Sequence, residues 1–402
     1  MDTPSAVPPV DAAPSRRGLV RDASLSAIAA GFVTVLVGFT SSVVIVFQAA
    51  QSLGATPAQT SSWMWALGLG MGLTCIGLSL RHRIPVVTAW STPGAAMLIG
   101  SAAGLPMSDA IGAFVLSALL MAVAGFSGVF ERMISRIPMA LASGMLAGVL
   151  LRFGLEAFAV MKTSLGLGLT MFAVYVAARR FSPRYAVILT LLAGIAFAAG
   201  AGLMHTERLT LELAHPVFIA PTLSFAAVAG IALPLFIVTM ASQNVPGVAA
   251  MRASGYAPPV SPIVGWTGVV NAALAPFGAF ALNLAAITAA ICMGREAHED
   301  PSRRYVASVA AGVFYILVGL FGATVAALFA AFPKALIVAI AGLALLGTIG
   351  GSLAAALREE TDREAALVTF LVTASGLTLF GIGSAFWGLV AGVVTLLAWR
   401  RR

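Results

Sequence analysis

The sequence predicts an all-α membrane protein of about fourteen transmembrane spans, built as two inverted repeats of seven. In spans 3 and 10 a short extended segment precedes a half-helix. Three observations predict this class. Of 402 residues, 60% are hydrophobic and only 9% are charged, whereas a soluble domain carries roughly 25% charged residues. The basic residues fall on alternate connections between apolar runs. The two halves of the chain resemble each other at four places in the same order.

A helical span needs about 20 apolar residues, so fourteen spans use roughly 280 residues and leave only short loops. The expected spans are 24–50, 58–80, 85–101, 109–130, 137–158, 160–179, 184–203, 224–250, 259–275, 277–293, 306–329, 333–356, 365–380 and 383–399. Residues 1–23 are rich in Pro and Ala and are expected to be a disordered cytoplasmic tail. The apolar run from Leu25 to Leu53 is too long for a signal-peptide core and reads as an uncleaved first span. The net charge of +8 is spread over loops, which excludes a nucleic-acid partner. Cys75 and Cys292 both lie in apolar runs and give no disulfide or metal signal.

Lys and Arg prefer cytoplasmic loops. With the N-terminus inside, nineteen of the 23 basic residues fall on the cytoplasmic side, and Arg152, Lys162, Arg208 and Lys334 fall outside. Both termini are therefore expected to be cytoplasmic.

The segment 124–148 aligns with 318–342, so that Gly125, Gly128 and Pro138 match Gly319, Gly322 and Pro333, and the Ala-Leu pair after each proline is shared. Residues 52–65 resemble 254–266, and Pro85 and Thr92 then fall opposite Pro276 and Asn283. An odd number of spans per half reverses the second half in the bilayer. Inverted repeats are typical of secondary transporters, whose site lies near the midplane where the repeats meet.

The stretch Trp90-Ser91-Thr92-Pro93-Gly94 interrupts span 3 with two hydroxyls, a proline and a glycine. Thr and Asn are good helix N-caps and Pro suits the first turn. Spans 3 and 10 are thus expected to turn helical near the bilayer centre, capped by Thr92 and Asn283. Irregular backbone at that depth is tolerated only where it is buried in protein or lines a cavity. Two helix starts facing each other favour an anion without any lysine or arginine.

A second polar cluster, Ser242-Gln243-Asn244 followed by Pro246-Gly247, lies inside span 8. Its counterpart in span 1, Thr40-Ser41-Ser42, is explained by interhelical hydrogen bonding. Adjacent Gln243 and Asn244 fit that explanation less well, and at least one of them is expected to contact substrate. Trp90, Phe236, Phe277 and Phe280 are candidate aromatic walls. None of the fifteen Asp and Glu residues lies near the middle of a span, and His82, His205, His215 and His298 map to loops or span ends. No metal site, cofactor or catalytic acid–base pair is expected in the membrane, nor a cationic substrate. The chain is not expected to be an enzyme.

TAWSTPGAA together with SQNVPGVAAMRASGY resembles the benzoate:proton symporter family of bacterial inner-membrane proteins, and the resemblance covers the chain from about residue 22. That family is similar in fold to uracil permeases and anion exchangers. The resemblance implies a core domain from 24–130 and 224–329, a gate domain from 137–203 and 333–400, and a homodimer. It implies import of benzoate or a similar aromatic carboxylate, coupled to protons by alternating access. The substrate contacts it implies are Ser91, Thr92, Pro93, Gly94, Gln243, Asn244 and Asn283. Nucleobase permeases of this fold carry acidic residues where this chain has Ser242-Gln243-Asn244 and Asn283. A fixed anion there would repel a carboxylate, so the departure favours an organic anion over uracil or xanthine. The proton rides either on benzoate itself or on Asp109, Glu131 or Glu156, and the sequence leaves both open. A passive anion channel, or a transporter of another small organic anion or a nucleobase, is the competing reading.

Overall fold

The computed structural model describes residues 18–101, 105–182, 185–204, 213–322, 332–379 and 383–399. Most of the expected disordered tail, residues 1–17, lies outside the described residues. So do the basic residues Arg16, Arg17, Arg184, Arg208 and Arg400 to Arg402 counted for orientation. The tail expectation fails for its last part. Leu19–Asp22 form a helical turn because Asp22, which is buried, accepts a hydrogen bond of 2.9 Å from Tyr305 Oη.

Helices occupy every expected apolar run. The first half comprises α1 (Leu25–Ser52), α2 (Pro57–His82), the strand β1 (Thr88–Trp90), α3 (Thr92–Ser101), α4 (Met107–Phe126), α5 (Met139–Ala159), α6 (Leu165–Phe181) and α7 (Ala186–Gly200). The second half comprises α8 (Phe225–Ala253), α9 (Val260–Leu274), β2 (Leu282–Leu284), α10 (Ile287–Met293), α11 (Tyr305–Leu320), α12 (Lys334–Ala356), α13 (Arg363–Ala374) and α14 (Ser384–Trp399). Among the described residues, seven helices are long and apolar enough to cross a bilayer: α2, α4, α5, α8, α9, α11 and α12, some with a flanking 3-10 turn. The chain is a multi-pass membrane protein.

Local sequence sets the ends of these helices. Thr56 and Gln59 form a reciprocal capping box at the start of α2, with Pro57 as the first helical residue. In α1 the hydroxyls of Thr40 and Ser42 donate back to the carbonyls of Leu36 and Gly38. Such back-bonding relieves the polar groups in lipid and bends helices; α1 turns by 44° between Leu25–Thr40 and Ile45–Ser52.

Lipid offers no hydrophobic drive between helices, so association depends on close approach of small residues. A Cβ added to Gly68 of α2 would meet Gly319 Cα of α11 at 2.5 Å, and one at Gly125 of α4 would meet Gly265 N of α9 at 2.3 Å. Likewise Gly342 of α12 sits on the Phe153 carbonyl of α5, and Gly144 of α5 sits on that of Ala366 of α13. α2 packs on α11, α4 on α9, and α1 on α3, α10 and α11. Separately, α5 packs on α12, α13 and α14, and α6 on α7.

Candidate functional site

The two interrupted spans meet through β1 and β2, an antiparallel pair that sets Thr88 against Leu284, Ala89 against Asn283 and Trp90 against Leu282. Extended chain survives inside the apolar bundle because neighbours satisfy it. Ser79 Oγ accepts from Val86 N–H at 3.0 Å, Cys75 Sγ accepts from Thr88 N–H, and the Thr74 and Thr88 hydroxyls meet at 2.6 Å. The polar stripe of α2 is therefore matched to β1. Ser91 N–H donates to the Ala281 carbonyl at 3.1 Å, and Ala285 N–H donates to that of Val87 at 2.9 Å.

At the end of β1 the chain turns into α3, and the expected cap is displaced by one residue. Ser91, fully buried, accepts from Gly94 N–H at 3.0 Å through its side chain, and its carbonyl accepts from Ala95 N–H at 2.8 Å. Thr92 is instead the first helical residue, and it and Pro93 are half-buried. Proline has no N–H, so Thr92 N–H is the helix-start donor left without a partner among the described residues. Gly94 admits α8: a Cβ there would meet Leu235 Cδ1 at 2.7 Å and Ser91 Oγ at 2.9 Å.

After the second break the helix begins four residues later than expected, at Ile287 rather than Asn283. Residues 275–277 form a 3-10 turn, and Gly278 follows at φ +101, a conformation L side chains rarely adopt. A Cβ at Gly278 would also meet Trp63 Cδ1 at 1.9 Å. Asn283 does not cap a helix. It is the middle residue of β2, fully buried, and α10 starts only at Ile287, without a side-chain cap. Asn283 Nδ2 donates to the Ala281 carbonyl at 2.8 Å, and its Oδ1 has no partner among the described residues.

The polar cluster of α8 sits on one of two wide turns. Residues 228–232 and 240–244 are π-helical, and the second of these is Met240–Asn244. Wide turns of this kind recur at functional sites. Ser242 Oγ accepts from Gly383 N–H at 2.9 Å, just before α14. Asn244 Oδ1 accepts from Leu284 N–H at 2.9 Å and so braces β2, while Nδ2 rests between the sulfurs of Met121 and Met240. Gln243, between them and half-buried, makes no side-chain hydrogen bond among the described residues. The structure thus spends Ser242 and Asn244 on architecture and leaves the Gln243 amide over.

The aromatic candidates have separate partners. Trp90 Nε1 donates to Ser42 Oγ at 2.9 Å, and its ring meets Phe39 edge-on at 6.0 Å. Phe280, fully buried, lies 5.5 Å from Trp63 and 5.7 Å from Phe114. Phe277 packs on Trp65 and Phe218. Phe236 of α8 is half-buried against the core. Among the described residues no three His, Cys, Asp or Glu side chains cluster as a metal site would require, and Cys75 and Cys292 are free and buried.

Two features escaped the sequence. Cavities of about 460 and 390 Å³ open elsewhere, the first beside Met139, Arg358 and Asp362, the second beside Arg179, Glu296 and Arg304. An ion pair between the exposed Arg179 and the buried Glu296 stands at the second. Its only sequence signal is a glutamate and arginines in the loop after span 10.

An apolar helical bundle whose spans are twice interrupted by extended chain, with polar groups at the breaks, is the framework of a membrane transport protein. Comparison with known proteins gives the family. Residues 21–397 match the BenE family, described as benzoate membrane transport protein, and the chain belongs to it. It is 50% identical over 378 residues to the Inner membrane protein YdcO of Escherichia coli (strain K12), covering 93% of this chain and 97% of that one. It is 40% identical over 376 residues to the Benzoate membrane transport protein of Acinetobacter baylyi, covering 94% and 95%. Among solved structures, SLC26A9 aligns at 12% identity with a TM-score of 0.49, covering 95% of this chain and 66% of that one. The transmembrane domain of the cyanobacterial bicarbonate transporter BicA aligns at 12% identity and a TM-score of 0.44, covering 92% and 97%.

Proposed function

We propose that this protein imports benzoate or a similar aromatic carboxylate across the bacterial inner membrane, coupled to protons. Substrate sits between the start of α3 and the π-turn of α8. The name of the Acinetobacter relative supports the substrate, and that of the Escherichia coli relative supports the membrane. The observations that carry the reading are two donors without a partner among the described residues, Thr92 N–H at the start of α3 and the Gln243 side-chain amide on the π-turn of α8. Ser91, Pro93 and Gly94 shape that start, and Asn244 and Asn283 complete the polar lining.

The chain works as fourteen spans in two inverted repeats of seven, with both termini cytoplasmic, as a homodimer. Its core domain (24–130 and 224–329) rocks against its gate domain (137–203 and 333–400). The partition is supported by packing, since α1 to α4 pair chiefly with α8 to α11, and α5 to α7 chiefly with α12 to α14. The proton travels on the acid. Asp109 is held by Thr222, Glu131 by Ser261 N–H, and Glu156 by Arg152, each locally. Asn283 Oδ1 is an acceptor and suits the O–H of a protonated carboxyl group.

Uptake of labelled benzoate into proteoliposomes, with and without an inward proton gradient, tests the proposal. It requires saturable uptake that the gradient drives above equilibrium. Equilibration indifferent to the gradient removes the coupling, and absence of uptake removes the substrate.

A further inference from the structure

Outside the interrupted spans, the loop between α10 and α11 makes an unusual contact. Glu296, 6% exposed, projects from this loop, which joins two helices packed with α1. Its Oε1 accepts from Arg179 Nη1 at 2.5 Å, and Arg179 belongs to the last turn of α6. The carboxylate also faces α12, where a Cβ at Gly347 would meet Glu296 Oε1 at 2.8 Å. One carboxylate therefore ties α6 and α12 of one packing group to the α10–α11 loop of the other. Charge-assisted pairs of this kind are roughly twice as strong as neutral hydrogen bonds, and a buried carboxylate is costly once its partner leaves.

The surroundings hold the pair ready. The Arg304 guanidinium donates to the carbonyls of Met293, His298 and Glu299, which fixes the loop that carries Glu296. Arg179 lies over the Tyr175 ring at 5.9 Å. Beside the pair opens the cavity of about 390 Å³, lined also by Arg295, Arg304, Ser254, Thr348 and Ser352. Three arginines against one glutamate make it a place an anion can cross. Nothing else on α6 or α12 makes a salt bridge to the other group among the described residues.

We propose that Arg179 and Glu296 form a latch across the seam between the two helix groups, and that it opens and closes in each transport cycle to control access to this cavity. The proposal rests on the rocking motion given under Proposed function. When the latch opens, Arg179 is freed to face a departing carboxylate.

The test uses access to the cavity and no substrate. Ser254, half-buried on its wall, is replaced in the full-length protein as Ser254→Cys. The native Cys75 and Cys292 are buried, so the new thiol dominates labelling by a charged maleimide in detergent. Adding Glu296→Gln, which keeps shape and loses charge, raises the labelling rate about tenfold, the shift expected from weakening one charge-assisted bond. Reversing the pair, Arg179→Glu with Glu296→Arg, brings the rate back towards the parent. Labelling unchanged by Glu296→Gln overturns the latch, even where the melting temperature falls, because a merely stabilising pair gives that result. A reversed pair that labels as fast as Glu296→Gln overturns it as well. Either failure leaves the benzoate reading standing, since that is decided by uptake.

Discussion

Asn244 offers the sharpest division between a side chain that holds the site and one that touches the substrate. Its Oδ1 accepts from Leu284 N–H at 2.9 Å, and Asn244 is 1% exposed. Asn244→Ala leaves the Leu284 N–H buried without a partner, which costs about 1–3 kcal/mol. At 1.4 kcal/mol per decade this is roughly a 5- to 150-fold loss in the population with β2 in place. The same penalty falls on the ligand-free protein, so its melting temperature in detergent drops by several degrees. Asn244→Asp keeps an oxygen for Leu284 and restores most of that stability at acidic pH, where the carboxyl group is neutral. Thermal melts of both variants, with and without benzoate, check this. Should Asn244→Ala melt like wild type while losing all stabilisation by benzoate, the amide serves the ligand and the brace is refuted.

The remaining predictions concern neighbouring elements. Ser91→Ala removes the cap of α3 and costs about 0.5–2 kcal/mol in a melt, with Ser91→Asn or Ser91→Asp recovering most of it. Gly278→Ala meets both a positive φ and the Trp63 ring, so folded protein recovered by size-exclusion chromatography falls steeply. Gln243→Leu leaves the melting temperature of the ligand-free protein near wild type, because the amide is unpaired, and weakens benzoate stabilisation about tenfold in concentration. Burial opposes the ionised form of Asp300, but bonds from Ser302 and the nearby Arg303 win and hold its carboxyl below the usual range. Its stabilisation is therefore present above the unfolded-state value and lost as pH falls through the folded-state value. Asp300→Asn flattens the acid limb of a stability–pH curve.

Much of this architecture is legible in the chain because lipid demands it. Apolar runs of span length announce α2, α4, α5, α8, α9, α11 and α12, and Ser91-Thr92-Pro93-Gly94 marks the break before α3. The sequence reads Thr92 as the cap although Ser91 holds the Gly94 N–H, because both residue types cap well and the two are adjacent. Asn283 reads as a cap for the same chemical reason. Leu282–Leu284 is only three residues long, too short to show the alternation of a strand, and only its pairing with β1 reveals it. Asn244 reads as a ligand contact because its partner is a backbone N–H 40 residues away. The Arg179–Glu296 pair joins positions 117 residues apart, and no local pattern encodes it.

The account's central claim is that a carboxyl group is held at the start of α3 by backbone and amide donors, with no basic side chain. Isothermal titration of the purified protein with benzoate and with its neutral, isosteric amide, benzamide, tests this most directly. Benzoate is predicted to bind at least about tenfold more tightly, with affinity only weakly dependent on salt, and Gln243→Leu to narrow the gap. Equal affinity for the two ligands, or a preference that Gln243→Leu leaves untouched, contradicts the account.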